Sequence, residues 1–257
     1  MLLTCPVQTP EFLKKNQLGV EVHIGRDDVQ PHWAQLAPFV GGVHLPYDKL
    51  NLAALDEDWK RTSVETIQAA IDAGCVYGVE KMVMHPRGLE SERGEAVGSY
   101  PRLIDSLGQL ADYAAGKGIT LCLENAALHQ SKRRCYGIFA QEWLQLFEDL
   151  AHPNVLLTLD TSHAATSAAM LLDNAKDRFA YMYEFLKYPE RIGRVHWSDS
   201  RLTYGEAYFN DLHLVPGDGD LPREFHRQIL QLPVVKTLEQ RCPGEELQRG
   251  LDFVASL

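Results

Sequence analysis

Short apolar segments alternate along this chain with longer segments in which apolar residues recur at helical spacing. Eight apolar segments have the length of β-strands: residues 19–24, 39–45, 81–85, 119–124, 155–160, 193–198, 211–215 and 234–239. Segments of helical period lie between most of them, as in residues 58–75 and 100–118. Strands that alternate with helices in this way predict βα units and a parallel sheet.

Eight such units in a chain of 257 residues match the size of a closed (β/α)8 barrel. We therefore predict an α/β fold, a single TIM barrel over residues 1–257, with its functional site at the C-terminal face of the strands. An open, doubly wound sheet is the structural alternative, because residues 19–24 and 211–215 carry the weakest strand signals.

Composition narrows the class of protein. Hydrophobic residues make up 45% and charged residues 23% of the chain, which is typical of a globular protein with a large core. The formal net charge of −10 argues against a broad cationic surface for nucleic acid, although a local cationic groove is compatible with it. The five cysteines form no CxxC pair, and we find neither a signal-peptide pattern nor a run of 18 apolar residues. We expect a reduced, cytoplasmic protein that does not span a membrane.

Most predicted strands end in, or are closely followed by, an imidazole or a carboxylate. The residues are His44, His85, Glu124, Asp160, His163, His196, Asp211, His213 and Glu239. Because the strands of a parallel barrel all end at one face, these side chains would converge there. Neutral imidazole and ionised carboxylate are good ligands for zinc and manganese, and one tetrahedral ion needs only about four ligands. The pattern therefore predicts a site for two or three ions, with some carboxylates bridging them.

Each of these residues alone has a plainer explanation. A single histidine at a strand end is more often a hydrogen-bonded structural group than a ligand. Asp211 could cap a turn, and Glu239 could pair with Arg241 or Lys236. The joint pattern, rather than any one residue, predicts the metal site.

Seven motifs resemble, in the same order, those of endonuclease IV and the xylose isomerase-like TIM barrels. They are VHLPY (43–47), VMHP (83–86), LENA (123–126), LDTSHA (159–164), VHWSDSR (195–201), DLHLVPGDGD (211–220) and TLEQ (237–240). The resemblance to endonuclease IV implies three zinc ions held by all nine residues named above, with Glu124 bridging. It also implies that Tyr47 contacts the substrate.

The mononuclear sugar isomerases and epimerases of the same superfamily imply a smaller site. The resemblance then assigns Glu124, Asp160, His196 and Glu239 to one manganese-like ion, with Glu124 and Glu239 moving protons on a sugar. Since these four residues belong to both patterns, the two alternatives stay open.

Three departures from the endonuclease IV pattern leave DNA poorly supported as the substrate. Ser198 stands where endonuclease IV usually has asparagine, and the segment LTYGEAY (202–208) differs in length and is aromatic. The loop after the first predicted strand reads GRDDVQPHW (25–33), and its two aspartates would repel a phosphate backbone. Metal binding is therefore better supported by the resemblance than DNA binding.

The main hypothesis is metal-dependent hydrolysis of a phosphoester, in an abasic-site-like or small sugar-phosphate substrate. Two or three Zn²⁺ ions are expected, with Mn²⁺ or Mg²⁺ as alternatives. Glu124 or Glu239 would orient the attacking water, and Tyr47, Arg87 and Arg201 would bind the substrate. The alternatives are a sugar or sugar-phosphate isomerase or epimerase, with Glu124 and Glu239 as acid and base, and a non-catalytic sugar- or metal-binding protein. The sequence leaves the oligomeric state open.

Overall fold

The structure is a computed structural model that describes residues 1–126, 133–202 and 211–257. In these ranges, eight parallel strands form a closed barrel: Leu2–Thr4 (β1), Gly19–His23 (β2), Val40–His44 (β3), Lys81–Met84 (β4), Thr120–Glu124 (β5), Val155–Asp160 (β6), Ile192–His196 (β7) and Val235–Leu238 (β8). Each strand pairs with its neighbours in chain order, and β1 pairs with β8. The predicted (β/α)8 barrel is confirmed.

Nine α-helices accompany the strands within the described ranges: Pro10–Asn16 (α1), Trp33–Leu36 (α2), Glu57–Cys75 (α3), Tyr100–Ala115 (α4), Ala140–Leu150 (α5), Thr161–Leu171 (α6), Ala175–Met182 (α7), Arg223–Gln231 (α8) and Gly244–Ala255 (α9). Short 3₁₀ helices occupy Ala37–Phe39, Tyr183–Leu186 and Pro189–Arg191. Outside the barrel, Leu89–Glu92 pairs antiparallel with Glu95–Ala96 and Arg133–Cys135. None of the helices described is both long enough and apolar enough to cross a membrane.

Helix α3 shows how the sequence pattern becomes packing. Its N-terminus is capped by Asp56, whose carboxylate accepts a hydrogen bond of 2.7 Å from the backbone N–H of Trp59. The apolar residues predicted from helical spacing, Val64, Ile67 and Ile71, are buried in the core. The helix therefore covers the barrel with the face that the pattern predicts.

A buried tryptophan ties the outer layer to the strand that carries Glu124. Trp143 of α5 is fully buried and donates a hydrogen bond of 2.9 Å from its indole nitrogen to the backbone carbonyl of Leu123 in β5. Its ring packs against Phe185, with 5.7 Å between ring centroids. This packing fixes the end of β5, and with it the position of the next side chain, Glu124.

One predicted strand is wrong, and one barrel strand is missing from the prediction. Residues 211–215 form no barrel strand; Leu214 makes only an isolated bridge with Asp199. The reason is the backbone of His213, whose φ of +42° lies in the left-handed region and is incompatible with a strand. The missing strand is β1, whose three residues are too few to show a period of two.

Candidate metal centre

The nine residues predicted as ligands come together at the C-terminal face of the barrel, and we call them the ligand cluster. Four of them are the last residues of strands: His44 (β3), Glu124 (β5), Asp160 (β6) and His196 (β7). Two directly follow a strand: His85 (β4) and Glu239 (β8). The other three, His163, Asp211 and His213, lie on the segments after β6 and β7. Because all eight strands are parallel, these strand ends meet at one face of the barrel.

Glu124 lies at the centre of the ligand cluster and uses both carboxylate oxygens. Its Oε2 atom is 3.2 Å from Nε2 of His44 and 3.3 Å from Nε2 of His85. Its Oε1 atom is 2.9 Å from Nδ1 of His196 and 3.6 Å from Nδ1 of His163. Because Nε2 of His44 and of His85 face one oxygen and Nδ1 of His196 faces the other, the carboxylate has the arrangement needed to bridge two cations.

A second grouping leaves buried carboxylate oxygens without hydrogen bonds. One ligand atom each from Glu124, Asp160, His196 and Glu239 lies within 4.8 Å of the others. Oδ1 of Asp160 accepts a hydrogen bond of 2.7 Å from the backbone N–H of His163, which caps α6. Oδ2 of Asp160 and Oε2 of Glu239 have no hydrogen-bond partner among the described residues. An unsatisfied buried polar group costs about 1–3 kcal/mol, and a cation would remove that cost.

A third grouping joins Asp160 and His163 to the loop after β7. Nε2 of His213 is 3.0 Å from Oδ1 of Asp211, which is 3.7 Å from Nε2 of His163. Ser198, at the position where the sequence departs from endonuclease IV, places its hydroxyl 3.2 Å from Nδ1 of His213. Serine at this position therefore still contacts the ligand cluster.

Asp199 holds the loop that carries Asp211 and His213. Its carboxylate accepts hydrogen bonds from the backbone N–H groups of Gly217 (2.9 Å) and Leu221 (3.1 Å). Gly219 must be a glycine, because a Cβ atom there would collide with the Asp199 carboxylate. The glycines of PGDGD (216–220) thus let the loop turn tightly around Asp199.

Two imidazoles are held in one tautomer by backbone carbonyls. Nδ1 of His44 lies 2.7 Å from the carbonyl oxygen of Leu45, and Nδ1 of His163 lies 2.8 Å from that of Asn125. Since a carbonyl only accepts hydrogen bonds, each ring donates its Nδ1–H. In the neutral form of each ring the lone pair is therefore on Nε2, which faces Glu124 in His44 and Asp211 in His163, and a cation that displaces the second proton would bind there.

The carboxylates differ in their affinity for protons. Burial opposes ionisation of Glu124, but the nearby rings of His85 and His196 outweigh it and hold its pKa well below the ordinary value. Burial likewise opposes ionisation of Glu239, and His196 and His213 lower its pKa well below the ordinary value. For Asp160 burial prevails and raises the pKa to about 7.

The imidazoles respond to the same charges. Burial disfavours the charged form of His163, yet Asp160 and Asp211 raise its pKa to about 9. For His213, Glu239 and Asp160 overcome burial and raise the pKa to about 10. The negative potential that attracts protons to these rings also attracts divalent cations, which compete with protons for the same atoms.

The three predicted substrate-binding residues lie in different places. The Tyr47 ring is 4.7 Å from the His85 ring between centroids and packs edge-on against His44. The Arg87 guanidinium lies 5.6 Å from the centre of the Tyr47 ring. Tyr47 and Arg87 are therefore beside the ligand cluster, whereas Arg201 is exposed and donates a hydrogen bond to the carbonyl of Asp218.

A cavity of about 480 Å³ opens beside the ligand cluster. Its lining includes Tyr47, His213 and Glu239 together with two arginines, Arg26 and Arg241. The buried carboxylate of Asp27 holds Arg241 at 3.0 Å and lies 3.5 Å from Arg26. The cavity therefore brings cationic side chains close to the carboxylate of Glu239 in the ligand cluster.

Two residues of β2 that touch the ligand cluster, Glu21 and His23, were not predicted from the sequence. The His23 ring stacks on the His44 ring, and burial, together with His44, holds the pKa of His23 well below its ordinary value. Glu21 is buried and its Oε1 atom lies 2.7 Å from Nε2 of His196. The available signal was a glutamate inside the otherwise apolar strand GVEVHI (19–24), because a buried charge is rarely left without a partner.

The model of a protein family described as "xylose isomerase-like TIM barrel" matches residues 34–257 of this chain. The names of two curated relatives give two different activities. The probable endonuclease 4 of Thermoplasma acidophilum is 25% identical over 179 residues, which cover 70% of this chain and 58% of that protein. The inosose dehydratase of Serratia proteamaculans is 28% identical over 153 residues, covering 55% of this chain and 44% of that protein. The chain thus spans about half the length of these relatives.

Solved structures share the fold at lower identity. A D-tagatose 3-epimerase-like protein has a TM-score of 0.71 and 21% identity, covering 99% of this chain and 98% of that one. Endonuclease IV from Thermus thermophilus has a TM-score of 0.67 and 19% identity, covering 99% and 97%. At such identities the likeness concerns the fold, which carries both kinds of activity.

Proposed function

Because the chain belongs to the xylose isomerase-like TIM barrel family, we propose that it is a metal-dependent enzyme whose multinuclear site cleaves a phosphoester. The observation that carries this proposal is that the site holds more potential ligands than one ion needs. Glu124, Asp160, His196 and Glu239 suffice for one ion. The additional imidazoles and the carboxylate of Asp211 are close enough to these four to hold further ions.

The donor set fits divalent zinc. The neutral forms of His44 and His163 carry their lone pair on Nε2, and Asp160 and Glu239 present buried oxygens that lack hydrogen bonds. Mixed imidazole and carboxylate ligands suit Zn²⁺, with Mn²⁺ as the alternative for a more oxygen-rich set. When bound, such ions supply Lewis-acid stabilisation of a phosphoryl group and lower the pKa of water.

The chain's own residues would bind and orient the substrate around this centre. Glu239 lines the cavity and is the carboxylate placed to hold or accept a proton beside a bound substrate. Tyr47 would contact the substrate through its ring, and Arg87 and Arg241 would hold phosphate oxygens. Since Asp27 pairs with Arg241 and the chain carries a net charge of −10, a small sugar phosphate is favoured over a DNA duplex.

A sugar isomerase or epimerase is the second candidate, and one contact favours it. Nδ1 of His196 is 2.9 Å from Glu124 and 3.0 Å from Glu239, so two carboxylates approach the same ring nitrogen. Two carboxylates beside a single ion would suit proton removal from a sugar carbon by one and proton return by the other.

Metal counting combined with a turnover screen tests the proposal. Purified protein would be loaded with Zn²⁺ or Mn²⁺, desalted, and analysed by plasma mass spectrometry. We expect two or three ions per chain, with hydrolysis of sugar phosphates and slower or no cleavage of an abasic oligonucleotide. One ion per chain together with interconversion of ketoses would support the epimerase instead. Tight ligand binding without any product would indicate a non-catalytic binding protein.

A further inference from the structure

Glu21 is a buried carboxylate that the proposed reaction does not use. It lies in β2 and is only 2% exposed. Its Oε1 atom is 2.7 Å from Nε2 of His196, and its Oε2 atom accepts a hydrogen bond of 3.3 Å from the Thr237 hydroxyl. Oε2 also lies 3.8 Å from Nη1 of the buried Arg194. The carboxylate is therefore enclosed by β7 and β8, next to the ligand cluster.

The absence of a side chain at Gly42 leaves room for the Glu21 carboxylate and for Arg194. A Cβ atom at Gly42 would come within 2.8 Å of Glu21 Oε2 and 2.9 Å of Arg194 Nη1. Arg194 is held in place by hydrogen bonds to the carbonyls of Gly41 and Lys81. A buried ion pair is a poor source of stability, because the loss of hydration offsets the attraction between the charges. This suggests a role for Glu21 other than packing.

The two ring nitrogens of His196 face different groups. Nδ1 faces the ligand cluster, 2.9 Å from Glu124 and 3.0 Å from Glu239, whereas Nε2 faces Glu21. A neutral imidazole carries one proton, and the nitrogen that binds a cation is the other one. In His44 and His163 a backbone carbonyl accepts the hydrogen bond from the ring N–H. In His196 the acceptor next to Nε2 is the carboxylate of Glu21.

We propose that Glu21 is a positioning residue for His196: it keeps the ring proton on Nε2 and so leaves the Nδ1 lone pair for a cation shared with Asp160 and Glu239. This inference rests on the proposed function, because it assigns Glu21 a part in cation binding. The Glu21 oxygen lies close to Nε2 but off the direction of the N–H bond in the structure, so the proposed hydrogen bond requires a rotation of one of the two groups.

Two variants separate this role from general stability. Glu21→Gln keeps the shape and an acceptor oxygen but loses the charge. Glu21→Met combined with Arg194→Met removes the acceptor without leaving an unpaired buried arginine. Lys236→Met is the matched control, because it removes a buried cation of β8 whose ammonium group donates hydrogen bonds to the carbonyls of Leu232 and Val234.

Three measurements are made on each zinc-loaded protein: zinc affinity by chelator competition, the unfolding temperature, and the position of the His196 ring proton by long-range ¹H–¹⁵N NMR. We expect wild-type His196 to carry its proton on Nε2. The double variant should bind zinc roughly 10–100-fold more weakly, as is usual when the partner of a ligating histidine is lost. Glu21→Gln should restore most of the affinity, and Lys236→Met should leave it unchanged.

The outcomes that overturn the inference differ from those that overturn the proposed function. A wild-type His196 with its proton on Nδ1 overturns the inference whether or not any variant folds. Zinc affinity unchanged in the double variant, or lowered equally by Lys236→Met, also overturns it while leaving a metal-dependent enzyme intact. A wild-type protein that binds no divalent metal overturns the proposed function, and the inference with it.

Discussion

The rings of His23 and His44 are stacked, with 4.1 Å between their centroids and only 4° between their planes. His44 is therefore held by a ring on its face and by the Leu45 carbonyl at its Nδ1 atom. This leaves its Nε2 atom directed at Glu124 with little freedom to turn.

The stack predicts that the ring of His23, rather than its nitrogens, supports metal binding. His23→Ala should lower zinc affinity roughly 10-fold, because the His44 ring loses the ring that is stacked on its face. His23→Phe should retain an affinity within a few-fold of wild type, since an aromatic face remains. Chelator competition measures both, and equal affinity in the alanine variant and the wild type would contradict the prediction.

Replacing His213 should change the number of bound ions. We expect His213→Ala to reduce the metal content by about one ion per chain, because His213 belongs to the grouping with Asp160 and His163. His213→Asn should do the same with less backbone strain, because asparagine tolerates the positive φ at this position. His152→Ala, which removes an imidazole paired with Asp112, should keep the wild-type count by mass spectrometry. An unchanged count in both His213 variants would favour the single-ion site.

Glu239→Gln should abolish turnover while leaving the barrel folded. The amide is nearly isosteric but cannot accept a proton, so we expect a loss of about 10²–10⁴-fold in kcat on the substrate found by the screen. Glu246→Gln is the matched control, because Glu246 lines the same cavity but lies outside the ligand cluster. Steady-state kinetics and thermal unfolding are both required; a variant with near-wild-type kcat would exclude Glu239 from proton transfer.

Gly42→Ala should destabilise the protein through Glu21 and Arg194. The added methyl group would overlap both side chains and also Leu3 Cδ1, and overpacking of this kind costs about 1–3 kcal/mol of unfolding free energy. Gly108→Ala serves as the control, because its Cβ would meet only Leu150 at 3.9 Å within a helix, where alanine is favoured over glycine. Urea unfolding would measure both; equal stability in the two variants would show that the space around Gly42 is not needed.

Most of the fold could be read from local patterns. Strand-length apolar segments and the helical spacing in α3 recur with a period set by their own backbone geometry, so they need no tertiary information. The exceptions have physical causes. Strand β1 is too short to show a period, and residues 211–215 alternate like a strand although Asp199 and the positive φ of His213 fold them into a loop.

The sequence by itself determined the alternation of strands and helices and the types of side chain at most strand ends, because both follow from local spacing. Only the tertiary structure decided that Glu124 faces four imidazoles and that His23 stacks on His44. It alone also placed Glu21 beside His196 and within reach of Thr237, 216 positions away in the sequence. These contacts depend on strand register and barrel closure, which bring distant segments together through pairings that no short stretch of the chain encodes.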